Sequence, residues 1–153
     1  GCQLMAELEL LYPEHEVKHK MVHNDSHKFE SGFVGLEIPK NNSIMLGSLS
    51  GTKLGVWIAH GEGKFSFPYE EKEYNVIAKY NYDGYPANPN GSPYSVAGVC
   101  SKDGRHLAMM PHPERAIFPW QCGYYPNDRK ENDQVTPWIE AFVNARKWIE
   151  THA

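Results

Sequence analysis

Cysteine is scarce in this sequence: only Cys2, Cys100 and Cys122 occur, with no C-x-x-C pair and one thiol left over. That count argues against a disulfide scaffold and favours free thiols in a reducing, cytoplasmic setting. Long apolar runs are missing too; none approaches the roughly 20 residues of a membrane span. No secretory signal pattern opens the chain. There is no basic block or Lys/Arg stripe, and 15 basic against 19 acidic residues leave a net charge of −4. Nucleic acid is therefore not an expected partner. Internal repeats, low-complexity tracts and an evident domain boundary are likewise absent. What is present, 153 residues of which 41% are hydrophobic, suffices for one core. The chain lacks an initiator Met and Gly1-Cys2-Gln3 runs straight into a helical pattern, so the expectation is a piece of a longer protein.

The pattern predicts a helix over 3–11, where strong helix formers run up to Pro13. Strands are expected at 29–38, 54–60, 76–82, 95–100 and 105–110, the last two joined as a hairpin through Lys102-Asp103-Gly104. Short helical turns are expected within 43–49 and 70–74. The Tyr85–Pro93 stretch is dense in Pro, Asn and Gly and reads as a rigid, shaped loop. Thr136 and Pro137 are suited to the N-cap and first turn of a final helix reaching about Glu150. Trp138, Ile139, Phe142, Val143, Trp148 and Ile149 would form its core-facing stripe.

Three features carry chemistry. In Met110-Pro111-His112-Pro113-Glu114 each proline pushes the residue before it toward extended backbone. Residues two apart in an extended segment face the same way, so Glu114 is expected to reach the His112 imidazole. A carboxylate on one ring nitrogen fixes the tautomer and leaves the other nitrogen to act as a base. The competing reading is a proline-rich surface turn with a solvated Glu-Arg pair. The second feature, His60-Gly61-Glu62-Gly63 at a strand end, is either a place where backbone closely approaches a ligand or a glycine-rich turn. The third is a ladder of histidines at 15, 19, 23 and 27. On a continuous helix they would share a face and could bind metal. The turn residues Asn24-Asp25-Ser26 and the strand-like Val17–Val22 favour a surface reading instead.

Taken together, the motifs resemble the class I glutamine amidotransferases. In that family an elbow of the form C-x-G-x-Q supplies a nucleophilic cysteine, and a distant H-x-E supplies a base and its partner. Gly1-Cys2-Gln3 matches the last three elbow positions, and His112-Pro113-Glu114 matches the second motif. Lys28-Phe29-Glu30, Ala59–Gly63, Tyr85–Pro93, Asp103–Ala116 and Asn144-Ala145-Arg146 also match, most closely the glutaminase domains of large, single-chain phosphoribosylformylglycinamidine synthases.

The resemblance implies an α/β fold, the C-terminal portion of a flavodoxin-like three-layer domain, with residues 1–153 forming a partial glutaminase domain. It implies His112 and Glu114 as catalytic residues, and Gln3, His60, Gly61 and Glu62 as glutamine-binding ones, with the Asn88–Pro93 loop as a further wall. No metal site is implied. ATP and magnesium would belong to a synthetase domain of the same longer chain. That domain would use the ammonia to convert formylglycinamide ribonucleotide to its amidine in purine biosynthesis. By the same match the nucleophile lies two residues before Gly1 and Cys2 occupies a variable position. The chain alone is then expected to be inactive, with an unpaired sheet edge open to self-association. Two other readings stand beside this one: an independent Cys-His-Glu hydrolase using Cys2, and a histidine-rich metal- or protein-binding fragment.

Overall fold

The computed structural model describes residues 1–152. Five strands form the main sheet: β2 (Glu30–Glu37), β3 (Lys53–His60), β5 (Asn75–Tyr80), β6 (Val96–Cys100) and β7 (Leu107–Met109). Their order is β3-β2-β5-β6-β7, and every pairing is antiparallel. All five expected strands form close to the expected bounds. β2 and β3 pair along eight positions, from Glu30 with His60 to Glu37 with Lys53. Along β3 the side chains alternate, with Val56, Ile58 and His60 buried, the period of a strand with one face on a core. A separate two-stranded ribbon joins β1 (Lys20–Val22) to β4 (Lys64–Ser66) and buries Met21 against Phe65.

The sheet curls until its two ends meet. Beyond β7 the chain crosses to β3, where the His112 amide donates to the Trp57 carbonyl at 2.8 Å. Part of the expected open edge is thereby closed. β2 stays open over much of its length on the β5 side, since β5 pairs with it only at Leu36 and Glu37.

Two cores lie against this sheet. One gathers Leu36, Ile38, Val56, Ile58 and Ala97 with Trp138, just ahead of helix α3 (Ile139–His152), and Ala141 within it. The other gathers Leu11, Tyr12, Met21, Phe65, Tyr74, Val96, Val99 and Ala108, with Cys2 and Met5 of helix α1 (Cys2–Glu7) packed on it. The domain is thus mixed α/β, as expected, built on a curled antiparallel sheet. A flavodoxin-like sheet is largely parallel, and the strands described here contribute only antiparallel pairs.

Both helices differ from expectation. α1 stops at Glu7 because Glu9 adopts a left-handed φ of 56°. The Glu9 amide then donates to Ala6 O and the Leu10 amide to Met5 O, the paired bonds of a Schellman cap. The turn delivers Leu11 and Tyr12 into the second core. In α3, Thr136 caps as expected, its hydroxyl oxygen accepting from the Trp138 amide at 3.3 Å. Phe142 and Ile149 are exposed, not core-facing. The docked face uses Trp138, whose indole donates to Gly55 O at 2.8 Å, and Asn144, which donates to Met45 O at 3.0 Å.

Candidate functional site

The backbone bond at Trp57 fixes where the Pro-His-Pro segment crosses the end of the sheet. His112 itself is near-extended, at φ −110° and ψ 84°, but Pro113–Arg115 forms a 3-10 turn. The segment is therefore not extended through Glu114, as the sequence suggested. The turn does the same work by a different route: it folds Glu114 back so that Oε1 lies 2.7 Å from His112 Nδ1. Glu114 on Nδ1 leaves Nε2 as the free nitrogen of the neutral ring. The imidazole is partly solvent-accessible, open to a reactant.

His60 ends β3 and is buried on the same face as Val56 and Ile58. Its environment is organised by Asn24, which is fully buried. The Asn24 amide nitrogen donates to His60 O at 2.7 Å and to Lys28 O at 2.9 Å. Its oxygen accepts from the Gly63 amide at 3.1 Å and lies 3.1 Å from His60 Nδ1. Gly63 is needed here for a reason the sequence did not reveal. A Cβ on Gly63 would lie 2.5 Å from the His60 ring, so the close approach is to this chain's own imidazole. Burial is the main cause of a His60 pKa below the ordinary histidine value. Gln3 donates to Glu62 Oε2 at 2.7 Å, and His23 Nε2 lies 3.7 Å from Glu62 Oε1. Gln3 and Glu62 thus meet at the surface, beside the turn that carries Gly61.

The Asn88–Pro93 loop joins this turn through Asn90, which donates to Gly63 O at 2.7 Å. On its other side the loop walls a cleft of about 880 Å3, together with Asp25, Lys28, Asp83 and Tyr94. Tyr94 and Ser95, both at its rim, hold φ of 57°. Neither His112 nor Glu114 lines that cleft, whose carboxylates Asp83 and Asp25 accept from Ser95 and Lys64.

The two competing sequence readings fail on geometry. Cys2 Sγ has the Met109 carbonyl as its partner at 3.6 Å, not His112, and burial pushes its thiol pKa up. A raised pKa disfavours the thiolate that a nucleophile requires. The histidine ladder breaks apart because 15–27 is not a helix: His19 is buried, whereas His23 and His27 are exposed. Among the described residues no group of three or more His, Cys, Asp or Glu is placed to hold a metal ion.

Two residues of this region escaped the sequence reading as site residues. In the sequence Asn24 shows only as turn chemistry, and Glu30 only as part of a matching motif. Glu30 pairs with His60 across β2 and β3, and its Oε1 is buried without a hydrogen-bond partner. The alternation of β2 and β3 was the available signal, since it sets both side chains on one face.

Comparison with known proteins shows the family of the chain. The profile of the CobB/CobQ-like glutamine amidotransferase domain family matches residues 1–149. A probable phosphoribosylformylglycinamidine synthase, chloroplastic/mitochondrial, of Arabidopsis thaliana is 42% identical over 171 residues, covering 99% of this chain and 12% of that protein. The phosphoribosylformylglycinamidine synthase of Drosophila melanogaster is 44% identical over 142 residues, covering 84% of this chain and 10% of its own length. The chain thus spans about a tenth of such relatives. The solved structure of PurLQS from Thermotoga maritima superposes with a TM-score of 0.72 at 26% identity, over 97% of this chain and 58% of the matched one. With a histidine oriented by a carboxylate at the closure of its sheet and a family match over nearly its whole length, the chain belongs to the CobB/CobQ-like glutamine amidotransferase domains.

Proposed function

We propose that this domain releases ammonia from glutamine for a phosphoribosylformylglycinamidine synthase of which it forms one part. The observation that carries the reading is the 2.7 Å bond between His112 Nδ1 and Glu114 Oε1, on a backbone pinned to Trp57. A cysteine thiolate, placed by the elbow pattern two residues ahead of Gly1 and not at Cys2, attacks the glutamine carboxamide carbon. His112 Nε2, having first taken the thiol proton of that cysteine, delivers it to the departing nitrogen, then takes one from the water that opens the thioester and returns it to the released sulfur. Glu114 holds the ring in the required tautomer, and backbone amides at the elbow receive the oxyanion. Gln3, His60, Gly61 and Glu62 belong to the glutamine-binding side.

The ammonia goes to the synthetase part of the longer protein, where formylglycinamide ribonucleotide becomes its amidine. ATP and magnesium act there, and no step in this domain runs through them. Free thiols at Cys2, Cys100 and Cys122 support a cytoplasmic setting. Among the described residues no helix is long and apolar enough to cross a membrane.

The test is His112→Asn in the full-length protein. Glutamine-driven turnover should fall by about 10²–10⁴-fold, while turnover driven by added ammonium chloride persists. Equal glutamine-driven rates in the variant and the parent would remove His112 from the mechanism and this reading with it.

A further inference from the structure

Next to the dyad lies a second pair of side chains with no assigned work. Glu30 and His60 are cross-strand partners at the end of β2 and β3, so their side chains share a face. His60 is 8% exposed, its Nε2 is buried without a partner, and so is Glu30 Oε1. The hydrogen-bond network sets the His60 tautomer. Asn24 uses its nitrogen to donate to two carbonyls, so its oxygen is the acceptor that faces His60 Nδ1. His60 Nδ1 therefore carries the hydrogen, and Nε2 presents a bare lone pair. Burial, the largest cause of the lowered His60 pKa, works against adding a proton there. Glu30 sits opposite His60 across the two strands, and His112 is bridged to Trp57, three residues before His60 on β3.

Two buried acceptors on one face call for a donor. In the proposed reaction one reacting group has N–H donors and departs under the control of His112: the carboxamide nitrogen of glutamine. The glutamate left behind would present oxygen to the same two acceptors and be repelled. We propose that His60 Nε2 and Glu30 Oε1 accept hydrogen bonds from the nitrogen that leaves glutamine, first as carboxamide and then as ammonia. Asn24 is the positioning residue that holds His60 in the accepting tautomer. The inference rests on the function proposed above and adds to it the groups that read nitrogen against oxygen.

The α-ammonium group of glutamine is the other N–H donor available, so the test must separate the two. In the full-length protein, the ratio of glutamine-driven to ammonium-driven turnover is measured for the parent and for Glu30→Gln. The same ratio is then measured with glutaramate, which keeps the carboxamide and lacks the α-amino group. Loss of a charged hydrogen-bond acceptor should lower the ratio at least roughly tenfold with both substrates. A loss confined to glutamine would assign the pair to the α-ammonium and overturn the proposal, as would an unchanged ratio. If Glu30→Gln also loses ammonium-driven turnover through misfolding, Glu30→Asp takes its place, with the same fall in ratio expected. A parent protein that turns over ammonium but never glutamine would instead sink the functional reading, and the inference with it.

Discussion

Two places in the molecule hold a pair of buried polar atoms without partners, and they are built in opposite ways. His15 and His19 lie in the second core, where His15 Nδ1 and His19 Nε2 are unpartnered. Aromatic rings enclose them: Tyr12 stacks on His15 with centroids 4.9 Å apart and meets His19 edge-on at 5.5 Å, while Tyr69, Tyr74 and Phe67 close the sides. Those histidines act as ring-shaped apolar filling. At Glu30 and His60 the arrangement is polar, with Asn24 dictating one nitrogen and leaving the other aimed outward from its network. An unpartnered atom sealed by rings is a cost absorbed by packing. One whose tautomer is fixed by a neighbour is a prepared acceptor.

Substitutions can separate these two designs. The largest effect is expected for Tyr12→Ala, which removes the ring shared by both sealed histidines and its bonds to Cys100 O and the Asn75 amide. It should cost about 4 kcal/mol in urea unfolding; a loss under about 1 kcal/mol would mean the rings do not hold that core. On the polar side, Asn24→Ala removes contacts to His60, Lys28 and Gly63 and should cost about 3 kcal/mol, with glutamine-driven turnover falling further than ammonium-driven turnover. Equal falls would make Asn24 a stabilising residue only.

Acid gives a smaller and more specific effect. Burial first, and the charge of His15 second, lower the His19 pKa from 6.5 to about 4. The unfolded chain then takes up a proton that the folded ring refuses. Stability is full above pH 6.5 and is lost as pH falls toward 4, by about 2 kcal/mol at pH 5. The chevron midpoint or urea midpoint of His19→Phe should lack this component, and an unaltered pH slope would contradict it. Smallest of all, His23→Ala should move stability by less than about 0.5 kcal/mol, because its side chain is 75% exposed and touches only the rim carboxylate of Glu62. A larger shift would show that the third ladder histidine is structural after all.

Much of the sheet was legible because β-branched and aromatic runs at 54–60, 76–80 and 96–100 have no plausible helical use. The dyad was legible too, since two prolines and an H-x-E spacing limit what the backbone can do, although the turn that makes the contact is 3-10 and not extended. Three things were hidden. Glu9 is a good helix former, so nothing local announced the left-handed cap that ends α1; the pull of Leu11 and Tyr12 into the core decides it. The four-residue spacing of the histidines carried no structural meaning, because tertiary contacts sort His19 inward and His27 outward. Asn24 looked like an ordinary turn residue, and its role depends on His60, 36 positions away.

The Trp57–His112 bond has a consequence for how activity is lost. The amide that closes the curled sheet belongs to the same residue whose ring is proposed above to transfer the proton. Any local opening that separates the two ends of the sheet also displaces the base. Solvent deuterium reaching the His112 amide and the disappearance of turnover should therefore follow one time course in dilute denaturant, ahead of global unfolding. The seam of the barrel-like sheet serves as a built-in fuse: the domain falls silent before it falls apart.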